Sequence, residues 1–351
     1  MSLSLKLVSL VGLLAPLASA QEAWVSNTTA GTVSVLDTES LAVVATFPVG
    51  VQPGRIAFTA DGERALVPNA GADTLTVVSV DSRTVTATIQ VNDGPSLVVL
   101  LPGERAYVGG FNGVVGVVDL AAGVMTGTIV LGAPATGYSV SGLALSSDGE
   151  RVYANWGELH ELDVASDTVT RSLFAGISTT ALALTADGSK AYVSAAFGYP
   201  AFSFYGSVVV VDLASWSVAG SIFTWSLPTQ LSLNAAGTEA HVSTPSTFVD
   251  TGYGAGYLSS PWVARLDLTT SGLDGGTNAG AAASGHVMSR DETRLFVAVP
   301  TANAVKVIAR ATDALVATIP VGTGPTHLTL VPTQAASAKS ARAAVPTGRK
   351  P

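Results

Sequence analysis

A turn-and-strand pattern recurs six times along the chain, and this repeat constrains the fold more than any other feature. Each copy has an apolar strand, a tight turn, a polar residue and an alternating strand, followed by two more strands. Consecutive turn positions are separated by 41, 46, 39, 49 and 55 residues. Four strands per unit at this period predict the blades of a β-propeller. The turns lie at Asp61-Gly62, Pro102-Gly103, Asp148-Gly149, Asp187-Gly188, Ala236-Gly237 and Asp291-Glu292.

The number of second strands in the pattern predicts seven blades. They contain Trp24, Leu66, Tyr107, Tyr153, Tyr192, His241 and Phe296. The N-terminal unit begins at Ala23 with a strand of the second type and lacks the first strand of a blade. Residues 326–330 form a strand of the first type that is not followed by a second strand. We expect these two ends to pair and close the ring, because closure removes an exposed strand edge. The fold expected is an all-β, seven-bladed propeller of four-stranded antiparallel blades over residues 21–332.

Several stretches resemble a known repeat. Residues 33–38, 43–50 and 316–325, with the sequences VSVLDT, VVATFPVG and VATIPVGTGP, are similar to the YVTN-type propeller repeat of exported YncE-like proteins. The resemblance covers residues 22–332 and implies the propeller fold. Members of that family bind different things, so the resemblance implies no particular ligand.

The first twenty residues have the features of a secretory signal peptide. Lys6 provides a positive charge, residues 7–16 are apolar, and Ala18-Ser19-Ala20 forms a small-residue cleavage motif before Gln21. The apolar run is shorter than the ~20 residues that span a bilayer as a helix. We therefore expect a secreted or periplasmic protein with no integral membrane segment in the mature chain.

Charge and cysteine content exclude several classes of site. The chain has no Cys, which excludes disulfides, thiolate metal ligands and cysteine nucleophiles. Residues 21–332 carry 12 basic and 25 acidic side chains, a net charge of −13, and the remaining segment 333–351 carries +4. Single-stranded nucleic acid needs a basic groove, so the acidic body argues against that partner. The composition of residues 333–351 predicts a disordered basic tail.

An Asp is expected at the end of the third strand in six of the seven units. Such a ring of carboxylates could hold a metal or supply acid–base groups, but the Ser, Thr and Gly residues that follow favour hydrogen bonding within a turn. We interpret these carboxylates as structural. They are Asp37, Asp81, Asp119, Asp163, Asp212 and Asp267, with Ala309 in the seventh unit.

The remaining polar residues form no recognisable catalytic motif. The four His residues, His160, His241, His286 and His327, lie in four different units without metal-ligand spacing. His286 and His327 are near the starts of inner strands, close to the expected axial channel. No nucleophile elbow or phosphate-binding loop is present in the sequence. We expect no catalytic residue, no metal and no cofactor.

Two insertions concentrate aromatic residues in neighbouring units. Segments 196–206 and 244–262 contain nine of the 23 aromatic residues within 30 positions. Both are expected as loops between second and third strands, on the face that also carries the connections between units. Aromatic loops with a few polar groups suit ligand capture. The expected ligand-binding residues are Phe197, Tyr199, Phe202, Tyr205, Tyr253, Tyr257, Trp262, Trp225, Tyr138, Arg55, Gln230 and His327.

Two functions remain open at this level. The first is an exported, non-catalytic scaffold that binds a protein, a peptide or a glycan on the aromatic face; the aromatic rings could equally pack into a covering mini-core. The alternative is a propeller enzyme with its site at the axial channel, since propellers resembling this one include lactonases and subunits of periplasmic oxidoreductases. Arg55, Gln230, His286 and His327 are the residues available for such a site. The oligomeric state stays open.

The signal-peptide interpretation predicts a defined mature N-terminus. When the full-length chain is expressed in an exporting host, the recovered protein should begin at Gln21. N-terminal sequencing measures this directly. Recovery of a product that retains residues 7–16 would contradict the interpretation and place the protein at the membrane.

Overall fold

The computed structural model describes residues 21–132, 139–176, 178–199, 203–224, 228–244, 262–279 and 282–332. Within these ranges the chain forms strands β1 to β28 and one turn of 3-10 helix, Pro300–Ala302. The strands form seven four-stranded antiparallel sheets. This confirms the predicted all-β, seven-bladed propeller. The expected signal peptide (1–20) and tail (333–351) lie outside the described residues.

The first four blades follow the predicted strand order from the channel outward. Blade 1 has the order β28-β1-β2-β3, and blades 2, 3 and 4 are formed by β4 to β7, β8 to β11 and β12 to β15. Their bounds are β28 Pro325–Leu330, β1 Glu22–Asn27, β2 Thr32–Asp37, β3 Ala42–Pro48, β4 Ala57–Phe58, β5 Arg64–Asn69, β6 Thr74–Ser79, β7 Thr84–Gln90, β8 Leu97–Leu101, β9 Arg105–Gly109, β10 Val114–Asp119, β11 Val124–Val130, β12 Gly142–Leu145, β13 Arg151–Trp156, β14 Glu158–Asp163 and β15 Thr168–Leu173.

Blades 5, 6 and 7 repeat the arrangement with β16 to β19, β20 to β23 and β24 to β27. Their bounds are β16 Ser178–Leu184, β17 Lys190–Tyr199, β18 Ser203–Asp212, β19 Ser217–Phe223, β20 Gln230–Leu233, β21 Glu239–Ser243, β22 Trp262–Asp267, β23 Gly272–Asn278, β24 Gly285–Met288, β25 Arg294–Val299, β26 Ala304–Ala309 and β27 Ala314–Pro320.

Ring closure occurs as the sequence predicts. The C-terminal strand β28 pairs antiparallel with β1, with Val25 opposite Leu328 and Ala23 opposite Leu330. Blade 1 is therefore built from both ends of the propeller sequence. Backbone hydrogen bonds thereby join residues about 300 positions apart, so β1 becomes an interior strand of this sheet and β28 forms its inner edge along the channel.

The turns after the third strands explain most of the ring of Asp residues. The carboxylate of Asp37 accepts hydrogen bonds from the backbone N–H groups of Glu39 and Ser40, at 3.0 and 2.8 Å. Asp119, Asp163, Asp212 and Asp267 cap their turns in the same way. Hydrogen bonds from the hydroxyl and backbone of Thr269 lower the pKa of Asp267 to about 2. The structural interpretation of these five carboxylates is confirmed.

The expected position of Asp81 is wrong. The third strand of blade 2 ends two residues earlier, at Ser79, and Asp81 lies within the following turn. The hydroxyl of Ser79 takes the capping role and accepts the N–H of Ser82 at 3.5 Å. A Ser can replace Asp here because both side chains are short, with an oxygen two bonds from Cα in Ser and three in Asp, and both oxygens can accept hydrogen bonds from nearby turn amides.

The apolar core is divided among the interfaces between blades. Each buried cluster joins residues of two adjacent sheets, and the described residues contain seven such clusters. Trp24 of blade 1 illustrates the pattern: it is fully buried and makes edge-on ring contacts at 5.2 Å with Phe47 and with Phe58 of blade 2. Because every blade has two buried faces, every blade depends on both neighbours.

Polar side chains also connect the inner strands around the channel. Ser141, next to the inner strand of blade 4, donates to the carbonyl of Thr179 in the inner strand of blade 5 at 2.7 Å, and Ser26 in the second strand of blade 1 donates to the carbonyl of Gly54, ahead of the inner strand of blade 2, at 2.6 Å. The inner strands of neighbouring blades belong to different sheets and share no ladder. Side-chain hydrogen bonds therefore satisfy carbonyls that the ladders leave unpaired.

The insertion at 196–206 differs from the expected loop. Strands β17 and β18 each have 10 residues and continue as a paired hairpin, with Phe197 opposite Tyr205 and Tyr199 opposite Ser203. An antiparallel pair extends readily because each added residue gains ladder hydrogen bonds. Most of this insertion is therefore a hairpin extension, and residues 200–202 lie outside the described residues.

Closure by β28 predicts that a deletion that includes β28 destabilises the protein far more than a deletion of residues 333–351 alone. Deleting residues 325–351 should lower the melting temperature by at least about 10 °C, because the core position of Leu328 is lost and β1 becomes an edge. Deleting only residues 333–351 should change it by less than about 2 °C. Calorimetry on both truncated chains tests this, and equal losses would contradict the assigned closure.

Candidate functional site

The propeller has two chemically different faces. We call upper the face that carries the connections from one blade to the next and the turns between second and third strands. The lower face carries the Asp-capped turns and most of the ion pairs between blades, such as Arg64 with Glu104 and Arg105 with Asp167, both at 2.6 Å. Each inner strand starts at the upper face and runs down along the channel.

Equivalent positions at the upper starts of the inner strands form a ring around the channel. The strand registers align one residue from each of six blades, opposite the end of the second strand. In blade 2 the register of β4, continued two residues upstream, places Arg55 at the same level. Three of these seven residues have polar side chains, and the others are apolar or lack a side chain. In blade order they are His327, Arg55, Leu97, Gly142, Ala181, Gln230 and Gly285.

Close backbone contact holds Arg55 in this ring. Its N–H donates to the carbonyl of Ser96 in blade 3 at 2.9 Å. A Cβ on the preceding Gly54 would stand only 2.2 Å from that same carbonyl oxygen, so glycine is required there. On the other side, Thr329 of blade 1 donates to the carbonyl of Ile56 at 3.0 Å. Arg55 is therefore fixed between the inner strands of blades 1 and 3.

The guanidinium of Arg55 differs from the other arginines that the structure describes. Each of the others contacts a carboxylate or a backbone carbonyl: Arg64, Arg83, Arg105, Arg151, Arg171, Arg265, Arg290, Arg294 and Arg310. Arg55 has no such contact within the described ranges. None of the seven inner strands contains Asp or Glu. Burial in the channel lowers the pKa of Arg55.

His327 lies next to Arg55 in the ring. Its Nδ1 is 3.0 Å from the hydroxyl of Thr326, and the ring is half-buried at the channel. Desolvation, followed by the positive charge of Arg55, lowers the pKa of His327 to about 3. The imidazole is therefore neutral at physiological pH, and Arg55 carries the positive charge at this site.

His286 is one residue below the ring and is fully buried in blade 7. Its Nε2 and Nδ1 lie 2.8 and 2.7 Å from the hydroxyls of Ser232 and Ser243 in blade 6. Burial is the main cause that lowers its pKa to about 3, with smaller effects from His241 and Arg55. Both ring nitrogens are therefore engaged, and this histidine joins blades 6 and 7.

Gln230 makes a two-sided contact with the backbone of His286. Its Nε2 donates to the carbonyl at 2.8 Å, and its Oε1 accepts the N–H at 2.9 Å. The neighbouring Gly285 has no room for a side chain, because a Cβ would be 2.6 Å from that Oε1 and 2.3 Å from the carbonyl of Thr326. One N–H and one lone pair of the Gln230 amide remain for another partner.

The remaining histidines lie away from the ring. His160 is buried in blade 4, with Nδ1 2.8 Å from the hydroxyl of Ser172, and His241 has Nε2 3.3 Å from Glu239. Within the ranges that the structure describes, no three His, Asp or Glu side chains are grouped to hold a metal ion. In the same ranges the single turn Pro300–Ala302 is the helical segment, and it cannot cross a bilayer.

The expected aromatic residues are located only in part. Phe197, Tyr199 and Tyr205 belong to the extended hairpin of blade 5, and Trp262 begins β22, in register with Asn278. Phe202, Tyr253, Tyr257, Trp225 and Tyr138 lie outside the described residues. His327 and Gln230 lie at the upper starts of the inner strands of blades 1 and 6, and Arg55 lies just before the inner strand of blade 2; their role in ligand binding stays a prediction.

Sequence reasoning missed two features of this site. The serines that hold His286 are on different strands of blade 6 and have no spacing motif. The isolation of Arg55 had a signal that was readable in the sequence, namely the lack of any acidic residue on the inner strands.

Two concave volumes of the described surface lie away from this ring. A cavity of about 10 Å³ between blades 6 and 7, beside His241 and Arg310, has room for about one water molecule. A groove of about 470 Å³ lies on the lower face between blades 5 and 6, next to the Asp187 turn. The groove is lined mainly by small turn residues, so the ring is the better candidate site.

Comparisons with known proteins give a fold and no family. No family model and no curated protein matches the sequence. Three solved structures share the architecture. Kuenenia stuttgartiensis hydrazine synthase has 18% identity and a TM-score of 0.67, and the match covers 80% of this chain and 95% of the hydrazine synthase chain. A functionally unknown protein from Desulfotomaculum acetoxidans has 14% identity, a TM-score of 0.70 and coverage of 89% and 99%.

The third similar structure is a candidate 6-phosphogluconolactonase from Bacteroides fragilis. It has 15% identity, a TM-score of 0.68 and coverage of 90% of this chain and 99% of its own. At these identities the likeness shows the β-propeller fold alone.

Burial of neutral His286 predicts a pH-dependent stability. The unfolded residue titrates near 6.5, whereas the folded one titrates at about 3. The unfolded state therefore binds a proton first, and stability falls as the pH drops from about 6.5 toward 3, by on the order of 4 kcal/mol for this residue. Urea unfolding between pH 6.5 and 4.5 should show a flatter dependence for His286→Gln. Equal slopes would contradict the assignment.

Proposed function

We propose that this chain is an exported, non-catalytic β-propeller that captures a polypeptide or glycan ligand on its upper face. One observation carries the proposal: the two blades that depart from the regular length place their extra residues on the face where Arg55, His327 and Gln230 surround the channel. Regular blades connect these strands with short turns, as at Trp156 and Glu158, which are separated by a single residue.

The geometry of blades 5 and 6 supports this proposal. In blade 5, β17 and β18 are four residues longer than the six-residue strands of blade 2. In blade 6, β21 ends at Ser243 and β22 begins at Trp262. Both extra segments join a second to a third strand, so both start and finish on the upper face. The two blades are neighbours that share a buried cluster around Tyr192 and Leu231.

Composition supports a binding role for these segments. Nine aromatic residues lie in them, and large rings supply much of the binding energy in recognition surfaces. The acidic body supports an uncharged or weakly charged ligand over a nucleic acid, since polyanions are repelled by a net charge of −13.

Export, with cleavage before Gln21, is part of the proposal and rests on the N-terminal sequence. We also propose that the chain is a divergent member of the YVTN-type repeat family.

The alternative is an enzyme with a site at the axial channel, of a lactonase or oxidoreductase type. It is favoured by the polar ring and by the kinds of protein that share the fold. The arrangement of His286 supports the binding role instead, because serine hydroxyls occupy both of its nitrogens and it is fully buried. Turnover of sugar lactones by the purified protein would support the enzyme and count against the scaffold.

The proposal predicts that the upper-face insertions are needed for binding and not for folding. Shortening 196–206 or 244–262 to the length of a regular turn should leave the melting temperature nearly unchanged and abolish capture on a peptide and glycan array. Tyr253→Ala or Trp262→Ala should cost on the order of 2 kcal/mol of affinity where the ring is a central anchor.

The matched control is Trp216→Ala on the lower face. The Trp216 indole stacks on Tyr153 and lies 4.2 Å from the Arg171 guanidinium, so its loss should reduce stability and leave affinity unchanged. If Tyr253→Ala or Trp262→Ala instead lowers stability by about 3–5 kcal/mol with unchanged affinity, the rings form a covering core and the platform is refuted.

A further inference from the structure

We infer that Arg55 is the anchor of an anion-binding site at the upper mouth of the channel, and that its ligand is a single carboxylate. The inference deepens the proposed upper-face binding by naming the group that enters the channel. It rests on the proposed function only for the identity of the larger ligand, because the Arg55 site itself can be tested with small ions.

The first argument is the missing counter-charge. A buried cation without a partner is costly, since desolvation is not compensated by an ion pair. Arginines elsewhere in the described chain avoid this cost: Arg310, for example, contacts Glu239 at 2.5 Å and Glu292 at 3.4 Å. Arg55 has no carboxylate or carbonyl contact in the described ranges, and no inner strand carries an acid. An anion from outside the chain would supply the counter-charge that the described part of the chain does not.

The second argument is the fixed position of the group. The backbone on both sides of Arg55 is held by the hydrogen bonds to Ser96 and from Thr329, at 2.9 and 3.0 Å. A ligand group therefore meets a cation whose attachment point is already ordered. Such preorganisation reduces the entropy lost on binding.

The third argument concerns the neighbouring groups. His327 next to Arg55 is neutral, and its Nε2 has no hydrogen-bond partner in the described part of the chain. Its Nδ1 is 3.0 Å from the Thr326 hydroxyl, which can accept that N–H or donate to the ring. In the tautomer with the proton on Nε2, His327 adds a neutral donor beside the guanidinium. A guanidinium fork with one further donor suits the two oxygens of a carboxylate.

The net charge of the propeller, residues 21–332, selects among oxyanions. The body carries −13, so a dianion or a polyanion approaches against a repulsive potential that a single carboxylate feels least. The site therefore favours a carboxylate on an otherwise uncharged ligand, such as a chain end or a uronate, over phosphate.

The direct test uses small ions and the full chain. At pH 7 and constant ionic strength set with NaCl, acetate or benzoate at ten times its dissociation constant should raise the melting temperature by about 3 °C. Inorganic phosphate at the same concentration should raise it less. Chloride titration is the reference for non-specific salt effects.

Two variants separate a binding role from a structural one. Arg55→Gln should weaken carboxylate binding by about 10- to 100-fold, because charge-assisted hydrogen bonds are lost. It should also melt at the same temperature as the parent or higher without ligand, because an uncompensated buried charge is removed. Arg64→Gln, which breaks a partly exposed lower-face pair with Glu104 at 2.6 Å, is the control and should retain the full carboxylate response.

Several results would overturn the inference. A carboxylate response that survives in Arg55→Gln places the ion elsewhere, and a stronger response to phosphate refutes the carboxylate preference. A parent protein that responds to none of the ions refutes the site. If the shortened insertions lose array binding while Arg55→Gln keeps it, the upper-face function stands and the anion anchor fails. If instead Arg55→Gln loses array binding while the shortened insertions keep it, the Arg55 anchor stands and the aromatic platform is refuted.

Discussion

The antiparallel pairing of β28 with β1 is the interaction on which the other parts of the structure depend. It places Leu328 opposite Val25 and completes the sheet of blade 1. The buried clusters lie between blades, so each sheet needs a neighbour on both sides to cover its two apolar faces. In a closed ring every blade has two neighbours. Without closure blades 1 and 7 would each expose a face, and these faces carry Val25 and the fully buried Phe296.

Closure also creates the channel and determines its chemistry. Inner strands of adjacent blades approach closely enough that Gly54 and Gly285 have no room for a Cβ. The contacts between these strands are made by hydroxyls and the Gln230 amide, which are neutral and satisfy backbone groups. Ion pairs are concentrated on the lower face, where solvent lowers the cost of charge. Arg55 is the exception, a positive charge set among neutral groups at the channel.

The fold places few limits on function, and the distribution of irregular features is more informative. Structures with TM-scores of 0.67 and 0.68 to this one are a hydrazine synthase and a candidate 6-phosphogluconolactonase, so the architecture is shared by proteins named for different activities. In this chain the regular blades are built from short turns, while the hairpin of blade 5 is extended and the connection from Ser243 to Trp262 starts and ends on the same face. Arg55, which has no counter-charge among the described residues, lies at that face.

The sequence by itself determined the number of blades, the strand order and the closing pair, because these follow from a repeated alternation of apolar residues and from turn residues such as Gly62 and Gly149, both at positive φ. It also determined the capping role of Asp37, which depends on amides two and three residues away. Only the tertiary structure decided that Ser79 caps the turn expected for Asp81, that residues 196–199 pair with 203–206, and that His286 is held by Ser232 and Ser243. The contacts of His286 join strands of different blades that are far apart in the chain, and the absence of a partner for Arg55 among the described residues depends on every inner strand at once. Local sequence determines local hydrogen bonds, whereas burial and missing partners are properties of the closed ring.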